Sequence, residues 1–434
     1  MKSVQNGQRR VVITGVGVVA PNGIGKEDFW NACISGRSGI RHITHFDASS
    51  LPTRIAGEVP NFDPHVLGVT PEETLNLDRG TQFGLAAANL ALQDAALATR
   101  LSEAERDRFG VYLGSAMAGA TEGEKLWTQL LNRETHPSEA GPIENLPVMA
   151  FLNSFVPANA IAAHHQLHGP CTVYSTGCAA GADAIGQAFW TIQEERANRM
   201  LAGGTDSAIT YMGLNVFCVM KAMSTRNEEP ERASRPYDRN RDGFVMAEGA
   251  GVLLLEEREM ALARGAHIYA EIVAFASNSN AYHMTALPEN GEPLKQLLKQ
   301  ALLAASITPE QLDYINSHGS STSHNEPVET AAYKATFGER AYHIPISATK
   351  SMIGHSQGAA SAIEALLTAL VLDQQIIPPT INQEQAYPLC DLDYVPNVAR
   401  RSKVHVALTH ASGFGGVNNA LVLARPDWID THDR

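Results

Sequence analysis

Ser175-Thr176-Gly177-Cys178-Ala179-Ala180-Gly181 is the stretch on which the reading of this chain turns. Val173-Tyr174 before it reads as the end of a strand. Gly181 to Trp190 after it carries apolar residues at helical spacing. Cys178 is therefore expected on a sharp strand-to-helix turn, the geometry of a nucleophile elbow with Cys in place of Ser. Small neighbours let a substrate backbone approach the sulfur, and the partial positive charge of a helix start is expected to lower the thiol pKa. A buried structural thiol is the competing reading of the turn by itself.

Ile344 to Ile363 repeats the pattern of strand, turn and helix. Gly354-His355 stands where Gly177-Cys178 stands, and the pair Gly358-Ala359 answers Gly181-Ala182. This is the sign of an internal duplication, with Cys178 and His355 at equivalent helix starts converging on one site. The pattern of core strands restarts after Gly265, which divides the chain into halves 1–265 and 266–434. Strands and helices alternate throughout, so the class is α/β.

Composition narrows the function classes. The 434 residues are 44% hydrophobic and 18% charged, which fits a large buried core. A net charge of -13 argues against a nucleic-acid binder. Cys33, Cys171, Cys178, Cys218 and Cys390 are scattered without a CxxC, against a disulfide scaffold or a metal site. No apolar run reaches membrane-span length and Met1–Asn6 does not read as a signal peptide, so a cytoplasmic enzyme is expected. Gly15-Val16-Gly17 after the first strand partly mimics a dinucleotide fingerprint. Pro21 and the missing acidic ribose ligand favour a tight turn instead. The charge-dense Ser234–Phe244 stretch reads as an ion-pair knot beside the site.

His318 ends a predicted strand and is followed by Gly319 and three hydroxyl residues. A Cys with a His suggests covalent acyl transfer. A protease or amidase needs one His and an orienting Asn or Asp. Two His in small-residue turns suit stabilisation of an enolate oxygen, with Lys350 tuning the field.

These residues carry a resemblance. Thr176-Gly177-Cys178, His318-Gly319-Ser320-Ser321-Thr322, Lys350 to His355 and Gly413-Phe414-Gly415-Gly416 resemble motifs of the β-ketoacyl-[acyl carrier protein] synthases of the thiolase superfamily. So do Ser224–Asn227, Ser234-Arg235-Pro236 and Ala281–Thr285, and the likeness covers nearly the whole chain. It implies a thiolase-like five-layer αβαβα fold of two duplicated halves, a dimer, and decarboxylative Claisen condensation. It implies Cys178 as acyl acceptor, His318 and His355 as enolate stabilisers, and Lys350 beside them with Glu329 as its candidate partner. Backbone N–H groups of Cys178 and Phe414 would form the oxyanion hole, with the Phe414 ring as gate. Ser320 and Thr322 match contacts to phosphopantetheine, Met117 and Phe217 match the acyl pocket, and Lys221 matches a basic residue facing acyl carrier protein. No metal or cofactor is implied; the substrates ride on the phosphopantetheine of the carrier.

Gly177, Asn325 and the His410-Ala411-Ser412 stretch depart from the fatty-acid pattern. Gly177, Asn325 and Ser412 are similar to the ketosynthase subunit of type II polyketide synthases. That points to a heterodimer with a homologous chain-length factor, with a homodimeric fatty-acid elongating enzyme as the alternative. A non-catalytic scaffold subunit is a third reading, opposed by the presence of Cys178, His318 and His355.

Overall fold

The computed structural model describes residues 8–97, 101–135 and 154–432, so Met1–Asn6 lies outside the described residues. Val11–Ala20 (β1) is buried at all ten positions. Its Val and Ile residues fit a strand covered on both faces. Gly15 and Gly17 are needed for packing: a Cβ there would lie 2.3 Å from the Ala91 carbonyl oxygen and 1.9 Å from that of Ala87. Both carbonyls belong to the Ala-rich helix Arg79–Asp94 (α1), which lies directly on the strand. The GxG pattern thus lies inside the strand and marks a close helix approach, which corrects the expected tight turn after the strand.

The first half supplies Phe109–Gly114 (β2), Cys171–Tyr174 (β3), Arg199–Asp206 (β4) and Gly249–Glu257 (β5). The second supplies Ala270–Ser279 (β6), Tyr314–Asn316 (β7), Ile346–Ser347 (β8), Val406–Ser412 (β9) and Val417–Ala424 (β10). The order across the sheet is β8-β7-β9-β10-β6-β1-β5-β4-β2-β3. Read from either edge, each half places its third, second, fourth, fifth and first strands in turn. The directions match as well. β2 is parallel to β3 and β4, and β7 to β8 and β9, while the remaining pairs within each half are antiparallel. The halves meet where Val11–Ile13 pairs with Ala270–Ile272.

Five layers, helix and sheet in alternation, are packed around three large apolar clusters. α1 and Val156–His165 (α2) cover the outer face of the first half, and Glu292–Ala304 (α4) and Asn325–Phe337 (α5) that of the second. Between the halves lie Ala180–Gln193 (α3) and Ala360–Gln374 (α6). α6 is buried at every position from Ala360 to Leu372. A helix apolar on all sides belongs in the middle of a core. The two central helices touch through small residues: a Cβ on Gly181 would lie 2.7 Å from that of Ala362. The Ala182 N–H donates to Ser361 Oγ at 3.0 Å across the contact. Among the described residues no helix is long and apolar enough to cross a membrane.

One detail of the duplication differs from expectation. Each central helix is entered through a 3-10 turn, Gly177–Ala179 and Gln357–Ala359. Cys178 therefore corresponds to Gly358 and not to His355, which precedes its turn and bridges to Met246. The helix Lys350–Ile353 stands between β8 and this turn, with no counterpart between β3 and Gly177.

Candidate active site

The turn after β3 is built so that Cys178 needs no strained backbone. Gly177 takes the positive φ (+60°). The Thr176 hydroxyl donates to Asp183 at 2.5 Å, and Asn419 Nδ2 donates to the Ala179 carbonyl at 2.7 Å. Cys178 is buried, and burial pushes its thiol up to about 11. Lys350 and the backbone N–H groups of Phe414 and of Cys178 itself pull the other way and do not win. The expected lowering by the helix start is thus outweighed by desolvation. The thiolate is scarce at neutral pH and grows as pH rises. Iodoacetamide should therefore modify the Cys178 peptide about tenfold faster per pH unit from 7 to 10, read by mass spectrometry. A plateau by pH 9 would contradict this.

His318 follows β7 on a loop held by the expected charged knot. The Arg235 N–H donates to Ser321 Oγ (2.9 Å), and the Arg241 guanidinium donates to the carbonyls of Thr322 (2.8 Å) and Ser323 (2.6 Å) and to Glu326 (3.1 Å). His318 and His355 lie with ring centroids 5.5 Å apart. Burial, with the Lys350 charge, holds both well below the usual imidazole range, so both are neutral. The Gln357 N–H donates to His355 Nδ1 at 3.2 Å. The proton of a neutral His355 therefore sits on Nε2, which is left to donate.

Lys350 Nζ donates to Glu364 at 2.5 Å and to the His318 carbonyl at 2.8 Å. This corrects the expected pairing with Glu329. Glu329 instead accepts from the Tyr237 hydroxyl (2.7 Å) and the Gly319 N–H (3.1 Å), and burial pushes it up to about 8. Glu364 lies on α6, one turn into the buried helix, and fixes the ammonium against the histidine loop.

Phe414 brings the last strand pair to the site. A Cβ on Gly413 would lie 3.1 Å from the Thr176 carbonyl oxygen and 3.2 Å from the Cys178 nitrogen, so the two turns are closely packed. Ring contacts run from Phe414 to Phe217 (6.3 Å, stacked), Phe217 to Phe244 (5.5 Å) and Phe244 to His355 (5.4 Å). Phe414 is 39% exposed, at the outer end of this series. Met117 and Phe217 pack on one apolar cluster with Leu214, Phe244 and Met246. The Ser320 and Thr322 hydroxyls lie 2.9 Å apart on the His318 loop.

Cys178, His318, His355, Lys350 and Phe414 thus come together, with Met117 and Phe217 on the apolar side and Ser320 and Thr322 beside His318. Lys221 does not join them; it is exposed just beyond the helix Tyr211–Val219 that carries Phe217. Sequence reasoning passed over Glu364 and Asp206. The signal for Glu364 was available, since it is the one charged residue between Ala360 and Leu372. A lone carboxylate in an apolar helix needs a partner.

A thiol facing two backbone N–H groups, with two neutral imidazoles nearby, can accept an acyl group and stabilise developing oxyanions. Comparison with known proteins agrees with this chemistry. Residues 8–261 match the beta-ketoacyl synthase N-terminal domain and 269–384 its C-terminal domain. The tetracenomycin polyketide synthase ketoacyl synthase alpha subunit of Streptomyces glaucescens is 44% identical over 97% of this chain and 98% of its own. The 3-oxoacyl-[acyl-carrier-protein] synthase 2 of Coxiella burnetii is 42% identical over 96% of this chain and 99% of its own. The solved ishigamide ketosynthase/chain length factor superposes with a TM-score of 0.87 at 32% identity, covering 96% of this chain and 99% of that one. With both domains matched and near full-length relatives above 40% identity, the chain belongs to the beta-ketoacyl synthase family.

Proposed function

We propose that this chain is the ketosynthase subunit of a type II polyketide system, performing decarboxylative Claisen condensation on carrier-bound substrates. The observation that carries the reading is the pair of neutral, buried imidazoles beside a thiol that faces the backbone N–H groups of Cys178 and Phe414. In the first step the Cys178 sulfur attacks the thioester of an acyl carrier protein. The tetrahedral oxyanion is held by the two N–H groups, and collapse gives acyl-Cys178 and the free carrier thiol. In the second, malonyl carrier protein loses CO₂, and His318 and His355 donate to the enolate oxygen that forms. The enolate carbon attacks the acyl-Cys178 carbonyl. Collapse expels the Cys178 thiolate and leaves a β-ketoacyl chain two carbons longer on the carrier.

Lys350, held by Glu364, fixes the His318 loop through the His318 carbonyl. Ser320 and Thr322 contact the phosphopantetheine arm, and Met117 and Phe217 line the acyl pocket. The substrates bring their own prosthetic arm, so the chain works without a resident cofactor or metal, in the cytoplasm. The repeated strand order supports a division into halves 1–265 and 266–434, one carrying Cys178 and the other both histidines.

The partner is a homologous chain-length factor, supported by Gly177, Asn325 and Ser412 and by the likeness to a ketosynthase/chain length factor structure. A fatty-acid elongating homodimer is the second reading, supported by the near-equal identity to the Coxiella protein. The test is to express the chain alone and with its homologous neighbour, supply acyl and malonyl carrier proteins, and measure acyl adduct mass, CO₂, products and oligomeric state. Full-length product from the chain alone, at the rate of the pair, overturns the heterodimer. Absence of both adduct and CO₂ with every carrier overturns the condensation.

Carrier docking depends on local positive charge despite the acidic total. Lys221→Glu should weaken carrier binding a few-fold at low salt, and added salt should close the gap to wild type. Equal affinity at low salt would remove Lys221 from the docking surface.

A further inference from the structure

The proposed reaction uses Cys178 from one half and the histidines from the other, yet nothing in that scheme says what holds the acyl pocket in register with the enolate site. One buried carboxylate reaches both. Asp206, the last residue of β4, is 1% exposed. It accepts from the Ser115 hydroxyl (2.6 Å), the Ala116 N–H (2.9 Å) and the Met117 N–H (3.0 Å), all on the turn after β2. Its fourth donor comes from the other half: the Gly358 N–H, at 2.6 Å.

The two sides of this carboxylate are the two sides of the site. Met117 belongs to the apolar cluster that holds Phe217. Gly358 is the residue after Gln357, whose N–H sets the tautomer of His355. The approach leaves no slack. A Cβ on Gly358 would lie 2.5 Å from the Ala116 nitrogen and 2.7 Å from Asp206 Oδ2. Burial raises the Asp206 carboxyl to about 6 while the four donors act to keep it ionised. Carboxylate hydrogen bonds to backbone N–H groups are among the stronger ones available to a protein.

We propose that Asp206 is a positioning residue that locks the Met117 turn of the acyl pocket to the Gly358 turn behind His355, so that pocket depth and enolate stabilisation are set by one group. The inference rests on the condensation reading above. Asp206 touches neither substrate nor reacting atoms, and acts through Met117 and His355.

The experiment compares Asp206→Asn and Ser115→Ala with wild type, in the full assembly and well below the melting temperature. Asparagine keeps the size but meets N–H donors with its own amide protons. Asp206→Asn should lower kcat for CO₂ release from malonyl carrier protein by about ten- to hundredfold, the scale of an ångström-sized misplacement, with KM little changed. It should also shift the length profile of acyl chains loaded on Cys178. Ser115→Ala removes a donor on the pocket side only. It should shift the acyl-length profile while lowering CO₂ release less than Asp206→Asn does. A structural role alone would lower the melting temperature and leave both readouts at wild-type values, which overturns the proposal. If Asp206→Asn does not fold, Ser115→Ala decides: an unchanged acyl-length profile overturns it. A wild-type protein without CO₂ release would instead be a failure of the condensation reading, so the two failures are distinguishable.

Discussion

Cys178→Ala is expected to abolish acyl loading and condensation while leaving decarboxylation of malonyl carrier protein. Removing the nucleophile from an acyl-transfer site costs about 10⁶ in rate, because no other group can form the covalent intermediate. Alanine keeps both backbone N–H groups and leaves the histidines untouched, so the enolate can still be stabilised. Intact mass after incubation with acyl carrier protein should show no adduct, and CO₂ release should continue. The other cysteines make the experiment informative. Cys33 and Cys390 are buried, Cys218 is half-buried and Cys171 is exposed on the sheet edge. An adduct on the alanine variant would map to one of these, most simply Cys171, and would move the nucleophile away from the 3-10 turn.

The sequence made the fold class legible because its core strands are short continuous apolar runs, and each lies next to small-residue turns and helix-period stretches. Val11–Ala20, Phe109–Gly114 and Gly249–Glu257 can be read in this way without further help. The two elements flanking Cys178 were legible for the same reason. The alignment of the two halves was less so. The Gly-Ala pairs are packing signals of two different contacts, Gly181 against Ala362 and Gly358 against the Ser115–Ala116 turn and Asp206, and packing signals recur wherever backbones approach closely. They do not mark register, and it is Gly358, not His355, that occupies the position of Cys178.

Electrostatics was least legible. Lys350 pairs with the buried Glu364, whereas Glu329, which also reaches the His318 loop through the Gly319 N–H, is bound by the Tyr237 hydroxyl instead. Glu364 is 14 residues from Lys350 in sequence and is brought there by the turn between two helices. The thiol pKa has the same character. A helix start favours the thiolate, but the balance between burial, which raises the thiol, and Lys350 with the Phe414 N–H, which lower it, is set only when the chain folds. Asp206 reads in sequence as one more polar residue at a strand end. Its four donors come from two turns, 89 to 91 residues before it and 152 after it.

His355→Ala and His318→Ala should each slow CO₂ release from malonyl carrier protein by about 10²–10³, the loss typical of one positioned oxyanion donor. Acylation of Cys178 should survive in both, since its oxyanion is held by backbone N–H groups. The two residues are not interchangeable. The tautomer of His355 is fixed by the Gln357 N–H, so its Nε2–H is aimed before substrate arrives. His318 is oriented through its own carbonyl, which Lys350 holds. The pH behaviour follows from the depressed pKa of both rings. As pH falls from 8 to 6 the native imidazoles stay neutral, so CO₂ release should show no loss from histidine protonation in that window. Stability moves differently. Below the ordinary histidine pKa of about 6.5 the unfolded chain takes up protons that the native site refuses, so unfolding becomes easier as pH drops further. Urea midpoints should therefore fall below about pH 6.5 in wild type, and fall less in either alanine variant. Wild-type rates of CO₂ release in both variants would dismiss the two-histidine assignment, whatever the unfolding data show.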